Sequence, residues 1–212
     1  MRKFLLSNWD NYKIIGFDLD GTLYKEKEFI QQVYKEISKY LATLTEKPMQ
    51  DIYFYMLGRW IEKGSSYPFI YEETIQQFGI LNKGEIIKKC LQIYRNFSPN
   101  LRLSKNVAKI LDIISKEKLI FLVTDGNAVL QRKKFHSLQL QRWFSEENTI
   151  FTGELGIKYY KPSVEALKYI RITHIKPKNV LFIGDRNIDV EFAKNAGFDS
   201  ILVENFDAFW SD

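Results

Sequence analysis

The chain carries 212 residues, with 31 Lys and Arg against 26 Asp and Glu for a formal charge of +5, and it is 45% hydrophobic and 27% charged. That balance fits a folded protein with a sizeable core and excludes fibrous, collagen-like, mucin-like and wholly disordered chains. The basic residues are interspersed with Glu rather than gathered into the stripe that tracking a phosphate backbone requires, so no nucleic-acid partner is expected.

Residues 1–10, Met-Arg-Lys-Phe-Leu-Leu-Ser-Asn-Trp-Asp, begin like a signal peptide but offer only three consecutive apolar residues, which predicts no export signal. No apolar run approaches the ~20 residues of a membrane-crossing helix, so the expectation is a cytoplasmic protein with no membrane partner. Tyr12 to Phe17 is a short continuous apolar run, and Leu119 to Val123, Thr149 to Thr152, Val180 to Ile183 and Ser200 to Val203 are others. Continuous rather than alternating runs predict strands covered on both faces. From residue 104 onward they alternate with helical patterns such as Val107, Ile110, Leu111 and Ile114. The fold expected is α/β, a Rossmann-like parallel sheet of about five strands with helices on both faces.

The interval between the first two strands is far longer than a crossover helix needs. It has helical periodicity instead (Phe29, Val33, Ile37, Tyr40, Leu41, Leu44, then Ile75, Phe78, and Ile86 to Phe97), broken at Lys47-Pro48, Gly64-Ser65-Ser66, Tyr67-Pro68 and Asn82-Lys83-Gly84. This predicts an inserted α-helical domain of roughly four helices over 25–100, with the core made of 1–24 and 101–212. The lone Cys90 lies on an apolar helix face with Ile86, Ile87, Leu91 and Ile93 and reads as a buried thiol rather than a nucleophile.

Ligands of open α/β sheets bind beyond the carboxyl ends of the strands. The first run ends in Asp18-Leu19-Asp20-Gly21-Thr22, two carboxylates that need a cation or a shared proton if they face one site, or else an Asx-turn that closes the strand. The second ends in Thr124-Asp125-Gly126-Asn127, a hydroxyl and a turn into a helix whose first N–H groups are free for an anion, although an ordinary helix cap has the same pattern. Lys161 precedes Pro162, which suits a first helical turn. The fourth strand run ends in Gly184-Asp185-Arg186-Asn187-Ile188-Asp189, a further acidic pair.

This ordered set (Asp18-x-Asp20-Gly-Thr-Leu, Thr124, Lys161, Gly184-Asp185-x-x-x-Asp189) resembles the haloacid dehalogenase superfamily of phosphohydrolases. The stretch from Gln131 through Lys134, Leu138, Trp143-Phe144 and Gly156 to Lys161-Pro162 is similar to the connecting pattern of members with a helical cap. The resemblance implies that Asp18 is the nucleophile, forming an aspartyl-phosphate, and that Asp20 is the general acid and base. It implies Mg²⁺ held by Asp18, Asp185 and Asp189 with the backbone carbonyl of Asp20. It further implies a phosphoryl group bound by Thr124, the N–H groups of Asp125 and Gly126, and Lys161. The carboxylate at position 20, which dehalogenating members lack, favours phosphate transfer over dehalogenation.

The function expected is a Mg²⁺-dependent phosphatase of a small phosphorylated metabolite (nucleotide, sugar phosphate or phosphoglycolate-like). A phosphomutase or phosphotransferase on the same core, or a catalytically idle phosphate-binding or regulatory protein, is the alternative. A receiver domain fits less well because the long insertion and Gly-Asp-x-x-x-Asp have no place in it. Asp125 stands where an amide is common in nucleotidase-like members and is expected to face away from phosphate. Arg186 is expected to pair with Asp189 or another acid. In the insertion, the aromatics Tyr53, Phe54, Tyr55, Trp60, Tyr67, Phe69, Tyr71 and Phe78 read as helix packing, while Arg59 and Lys63 are the candidate substrate-specificity residues. His136 and His174 lack metal-ligand spacing and read as structural or surface residues.

Overall fold

The computed structural model describes residues 9–170 and 176–211, which form two units: one from the residues through Glu26 together with those from Asn100 onward, the other Lys27–Pro99. The first unit is built on a five-stranded parallel sheet of β1 (Ile14–Phe17), β2 (Leu119–Thr124), β3 (Thr149–Phe151), β4 (Val180–Gly184) and β5 (Asp199–Leu202), in the order β3-β2-β1-β4-β5. The α/β Rossmann-like sheet expected from the apolar runs is therefore present, with strand limits shifted by one or two residues.

β1 is central, with Ile14 opposite Leu119 on one side and Val180 on the other. Both of its faces are covered, so Ile14, Ile15 and Phe17 are fully buried, and this is why the run reads as continuous. Phe121, Phe182 and Phe192 form a stack beside it, with ring centroids 6.0 and 4.9 Å apart. Gly16 admits this stack, because a Cβ there would sit 2.2 Å from the Phe121 ring. Strand ends are thereby fixed in register, and each opens into a loop on the same edge of the sheet.

Helices α5 (Lys105–Glu117), α6 (Ala128–Ser137) and α8 (Asn187–Ala196) connect the strands, with short α7 (Thr152–Leu155) after β3 and α9 (Phe206–Phe209) after β5. The side chains of Ser104 and Asn127 accept from Val107 N (3.2 Å) and Leu130 N (3.1 Å), capping α5 and α6 as their positions predict. The helix expected after Pro162 is instead a 3₁₀ turn over Glu165–Tyr169: Leu167 N bonds Val164 O (3.0 Å) and Ile170 N bonds Leu167 O (3.2 Å), each three residues back. His174 lies outside the described residues, and His136 is exposed with its ring edge-on to Phe135. Near the other end of the unit, Trp210 Nε1 donates to Thr22 O at 2.8 Å, tying the end of the described chain to the loop after β1.

The second unit contains α1 (Glu26–Ala42), α2 (Met49–Lys63), α3 (Ile70–Gln77) and α4 (Lys83–Asn96). α1 buries Phe29, Val33, Ile37 and Leu41 at helical spacing, α2 Ile52 and Met56, and α4 Ile86 and Cys90. Burial pushes the Cys90 thiol up to about 12, so it is an inert core group. The aromatics pack mainly on one another: Tyr55 on Phe78 and Tyr34 on Tyr71, each edge to face. Among the described residues no helix is long and apolar enough to cross a membrane.

Two glycines make opposite predictions. A Cβ on Gly153 would meet the carbonyl oxygen of Gly126 at 2.0 Å, backbone that has nowhere to move, whereas a Cβ on Gly58, exposed in α2, meets nothing within 4 Å. Gly153→Ala should cost about 1–3 kcal/mol in urea unfolding, while Gly58→Ala should add about 0.5–1 kcal/mol. Equal effects of the two substitutions would contradict this packing.

Candidate active site

β1 delivers Asp18 to the edge of the sheet, and the β1–β4 pairing continues onto it, with Asp18 N donating to Ile183 O at 2.9 Å. Asp18 is 1% exposed. Lys161 Nζ, equally buried, donates to Asp18 Oδ1 at 2.5 Å and to Asp189 Oδ1 at 2.6 Å. Asp189 enters from the first turn of α8, where its second oxygen accepts from Arg186 N at 3.0 Å. A Cβ on Gly184 would lie 2.3 Å from Asp189 Cβ, so only glycine lets that side chain reach back across the end of β4.

Asp185 completes the acidic group: one oxygen from each of Asp18, Asp185 and Asp189 falls within 4.8 Å of the others. Gly21, at φ +76°, makes room for it, since a Cβ there would lie 2.1 Å from Asp185 Oδ2. Asp18 Oδ2 and Asp185 Oδ1 are both buried without a hydrogen-bond partner. Two orphaned carboxylate oxygens beside a third carboxylate, all hard donors, fit a divalent cation held by oxygen.

Lys161 is itself held from behind. Its backbone N–H lies 3.2 and 3.3 Å from the two carboxylate oxygens of Asp125, whose Oδ1 also accepts from Thr152 Oγ1 at 2.7 Å. Thr152 Oγ1 lies 3.1 Å from Thr124 O as well, and Tyr160 donates to Gly126 O at 3.0 Å. Asp125 thus turns its charge toward the Lys161 backbone, and the turn after β2 is fastened to the segment that carries Lys161.

Asp20 faces different company. Lys134 Nζ donates to its Oδ1 at 2.7 Å, the Tyr24 hydroxyl donates to the same oxygen, and Gln131 Nε2 donates to its Oδ2 at 2.6 Å. Gln131 and Lys134 come from the buried face of α6 with Leu130 and Phe135. They appear in the sequence only as part of a connecting pattern. The signal that would have singled them out is two polar residues at positions that the periodicity of Leu130, Phe135 and Leu138 assigns to the interior.

Two carboxyls two residues apart are therefore tuned in opposite directions. Burial pushes Asp18 up to about 8; Lys161 opposes the rise, and Asp189 adds to it. Burial likewise pushes Asp185 up to about 6, reinforced by Asp189. Lys161 stays protonated: burial works against its charge, but Asp18, Asp189 and then Asp125 outweigh it. For Asp20 burial alone would raise the value, yet Lys134 and the hydrogen bonds from Gln131, Lys134 and Tyr24 hold it below the usual carboxylate range.

The site thus brings together Asp18, Lys161, Asp185 and Asp189, and sets Asp20, Thr124, Asp125 and Gly126 around them through Gln131 and the Lys161 segment. The Arg186 guanidinium lies 4.0 Å from Asp185 Oδ1, and Asp18 and Asp189 favour its charge. Arg59 and Lys63 belong to the helical unit. Arg59 donates to Glu73 from Nε (2.7 Å) and Nη2 (2.9 Å) and also pairs with Glu62, while Lys63 lies 3.1 Å from Glu62. The Arg59 guanidinium, offered by the sequence for substrate, is a strut between α2 and α3.

A sequence model of the family described as haloacid dehalogenase-like hydrolase matches residues 15–203. The glyceraldehyde 3-phosphate phosphatase of Methanocaldococcus jannaschii is 25% identical over 198 residues, spanning 90% of this chain and 84% of its own length. Among solved structures, a subfamily IA hydrolase of this superfamily from Geobacter sulfurreducens superposes with a TM-score of 0.67 at 18% identity, covering 91% of this chain and 87% of that one. A magnesium-bound hydrolase of the superfamily from Bacillus subtilis gives a TM-score of 0.62 at 18% identity over 90% and 86% of the two chains.

The raised carboxyls set a pH dependence. A carboxyl whose folded-state pKa exceeds its unfolded value binds a proton on folding, so stability falls as pH rises through the window between the two. For Asp18 and Asp185 that window runs from the ordinary carboxyl value of 3.8 up to about 8 and about 6. Asp20, held low, acts only at the acid end. Thermal unfolding in chelator should therefore show a falling Tm between pH 5.5 and 8.5, and a divalent cation, which displaces those protons, should flatten or reverse the slope. A cation-independent slope would contradict the assignment of the acidic group as a metal site.

Proposed function

We propose that this chain, which belongs to the haloacid dehalogenase-like hydrolase family, is a Mg²⁺-dependent phosphatase that hydrolyses a small phosphomonoester through an aspartyl-phosphate on Asp18. The observation that carries the reading is Lys161 shared between Asp18 and Asp189, beside two buried carboxylate oxygens that have no hydrogen-bond partner. Asp18, Asp185 and Asp189 would hold the cation, with the carbonyl of Asp20. Bound there, Mg²⁺ supplies positive charge that lets a phosphate dianion approach an anionic nucleophile and favours the ionised form of Asp18.

Asp18, with one oxygen kept by Lys161, attacks phosphorus with the other, and the ester P–O bond breaks as the new bond forms. The departing oxygen takes a proton from the Asp20 carboxyl. Water then attacks phosphorus, Asp20 takes its proton back, and inorganic phosphate leaves with Asp18 regenerated. Lys134 and Gln131 fit the second half of this cycle, in which Asp20, having given up its proton, acts as base; the first half begins with Asp20 protonated. The equatorial phosphoryl oxygens are received by Thr124, the N–H groups of Asp125 and Gly126, and Lys161, which compensate the charge of the transition state. Asp125 supports this by aligning the Lys161 backbone rather than by touching phosphate.

The substrate class proposed is a small phosphorylated metabolite. The name of the Methanocaldococcus relative puts a three-carbon sugar phosphate first in a panel that also holds nucleotides and phosphoglycolate.

Hydrolysis of p-nitrophenyl phosphate should require added Mg²⁺ and cease in chelator. Asp18→Asn should lower kcat by at least ~10³-fold without a loss of folded structure by circular dichroism. Full turnover by Asp18→Asn, or after thorough chelation, would sink the mechanism.

A further inference from the structure

We propose that Gln131 is a positioning residue that fixes the direction of the Thr124 hydroxyl, so that Thr124 meets phosphate as a donor. This rests on the reading of Thr124 as a phosphate ligand. Gln131 is 4% exposed, and its Nε2 lies 2.6 Å from Asp20 Oδ2, 2.8 Å from Asp125 O and 2.8 Å from Thr124 Oγ1. The Asp125 partner is a backbone carbonyl, which only accepts, so the atom facing it must be the amide nitrogen. An amide nitrogen only donates. The nitrogen carries two protons for three acceptors, so Thr124 Oγ1 shares one of them; because the nitrogen accepts nothing, the single proton of Thr124 is left for another partner. Among the described residues no acceptor takes that proton, and Thr124 is 1% exposed.

The same amide thus ties Asp20, a candidate for proton transfer, to Thr124, a candidate for phosphate binding, across two strand ends. The other end of the amide, Oε1, is buried with no partner, so nothing competes with the three contacts of the nitrogen in setting its orientation. A hydroxyl free to rotate would spend part of its time presenting lone pairs to an anion; one whose oxygen already accepts from Gln131 does not.

The test is calorimetric binding of inorganic phosphate in the presence of Mg²⁺ by the full chain and by Gln131→Met, Thr124→Val and the double variant. Gln131→Met should weaken phosphate by ~10-fold, the scale of one charge-assisted hydrogen bond, and Thr124→Val by at least as much. The double variant should bind no more weakly than Thr124→Val alone, because without the hydroxyl Gln131 has nothing to orient. A general packing defect would not give that pattern. Unchanged affinity in Gln131→Met, unchanged affinity in Thr124→Val, or losses that multiply in the double variant would each overturn the proposal. Should Gln131→Met fail to fold, Gln131→Glu keeps the side-chain length and replaces the donor by an acceptor; it should weaken phosphate at least as far, and wild-type affinity there overturns the proposal equally. Binding of phosphate does not require a nucleophile, so the turnover of Asp18→Asn reports on the phosphatase reading separately.

Discussion

One buried ammonium group answers to two buried carboxylates. Lys161 lies between Asp18 and Asp189 with essentially no exposure, and Asp185 brings a third carboxylate to the same place. Removing such charges from water costs several kcal/mol each, and a single cation returns that only with close geometry on every side. The surroundings meet this demand: Asp125 and Thr152 align the Lys161 backbone, Gly184 lets Asp189 reach back, and Gly21 leaves space for Asp185. Negative charge still exceeds positive charge among these groups. The excess appears as the rise of Asp18 and Asp185 and as two carboxylate oxygens without partners. A cation bound there would compete with a proton for the same electrostatic vacancy, and the ionisation of Asp18 and cation binding would then be one linked equilibrium.

Two residues further along, the same side chain is treated in the opposite way. Asp20 has its own ammonium group, Lys134, and two further donors. Carboxyls pushed apart in acidity by their environments are how one fold assigns different tasks to identical groups. The basic surplus of the whole chain also reads differently here, because several of its acids are turned inward to the site. The outer surface is then more positive than +5 suggests, which suits drawing in a small anion.

Much of this was legible in the sequence because parallel sheets put chemistry at strand ends. Five apolar runs located the strands, and the residues following them, Asp18, Thr124 and Asp185, needed no side-chain detail to be placed on one edge. Lys161 was legible only through its resemblance to a family pattern, since a lone Lys before Pro162 carries no periodic signal. Gln131 and Lys134 were harder still. On α6 they occupy interior positions, yet a ten-residue helix bearing Arg132 and Lys133 as well looks like a solvated face unless each polar residue is assigned to its side. Arg59 shows a related limit: its contacts with Glu73 on the next helix could not be foreseen from the sequence. Charge pairs between elements are not visible before the elements are placed.

The threading of the chain has a consequence for how it is made. β1 emerges from the ribosome early, but the strands that flank it begin at Leu119 and Val180, the ammonium group that answers Asp18 is at position 161, and the indole that fastens the loop after Asp20 is Trp210. Until residues 119–124 and Lys161 have been synthesised, the central strand and its acidic end have no native partners. The helical unit, Lys27–Pro99, precedes those partners in the chain and is synthesised before them. A nascent chain that has passed Pro99 but not Leu119 therefore carries β1 as an unpaired strand, the segment a holdase chaperone has most reason to cover.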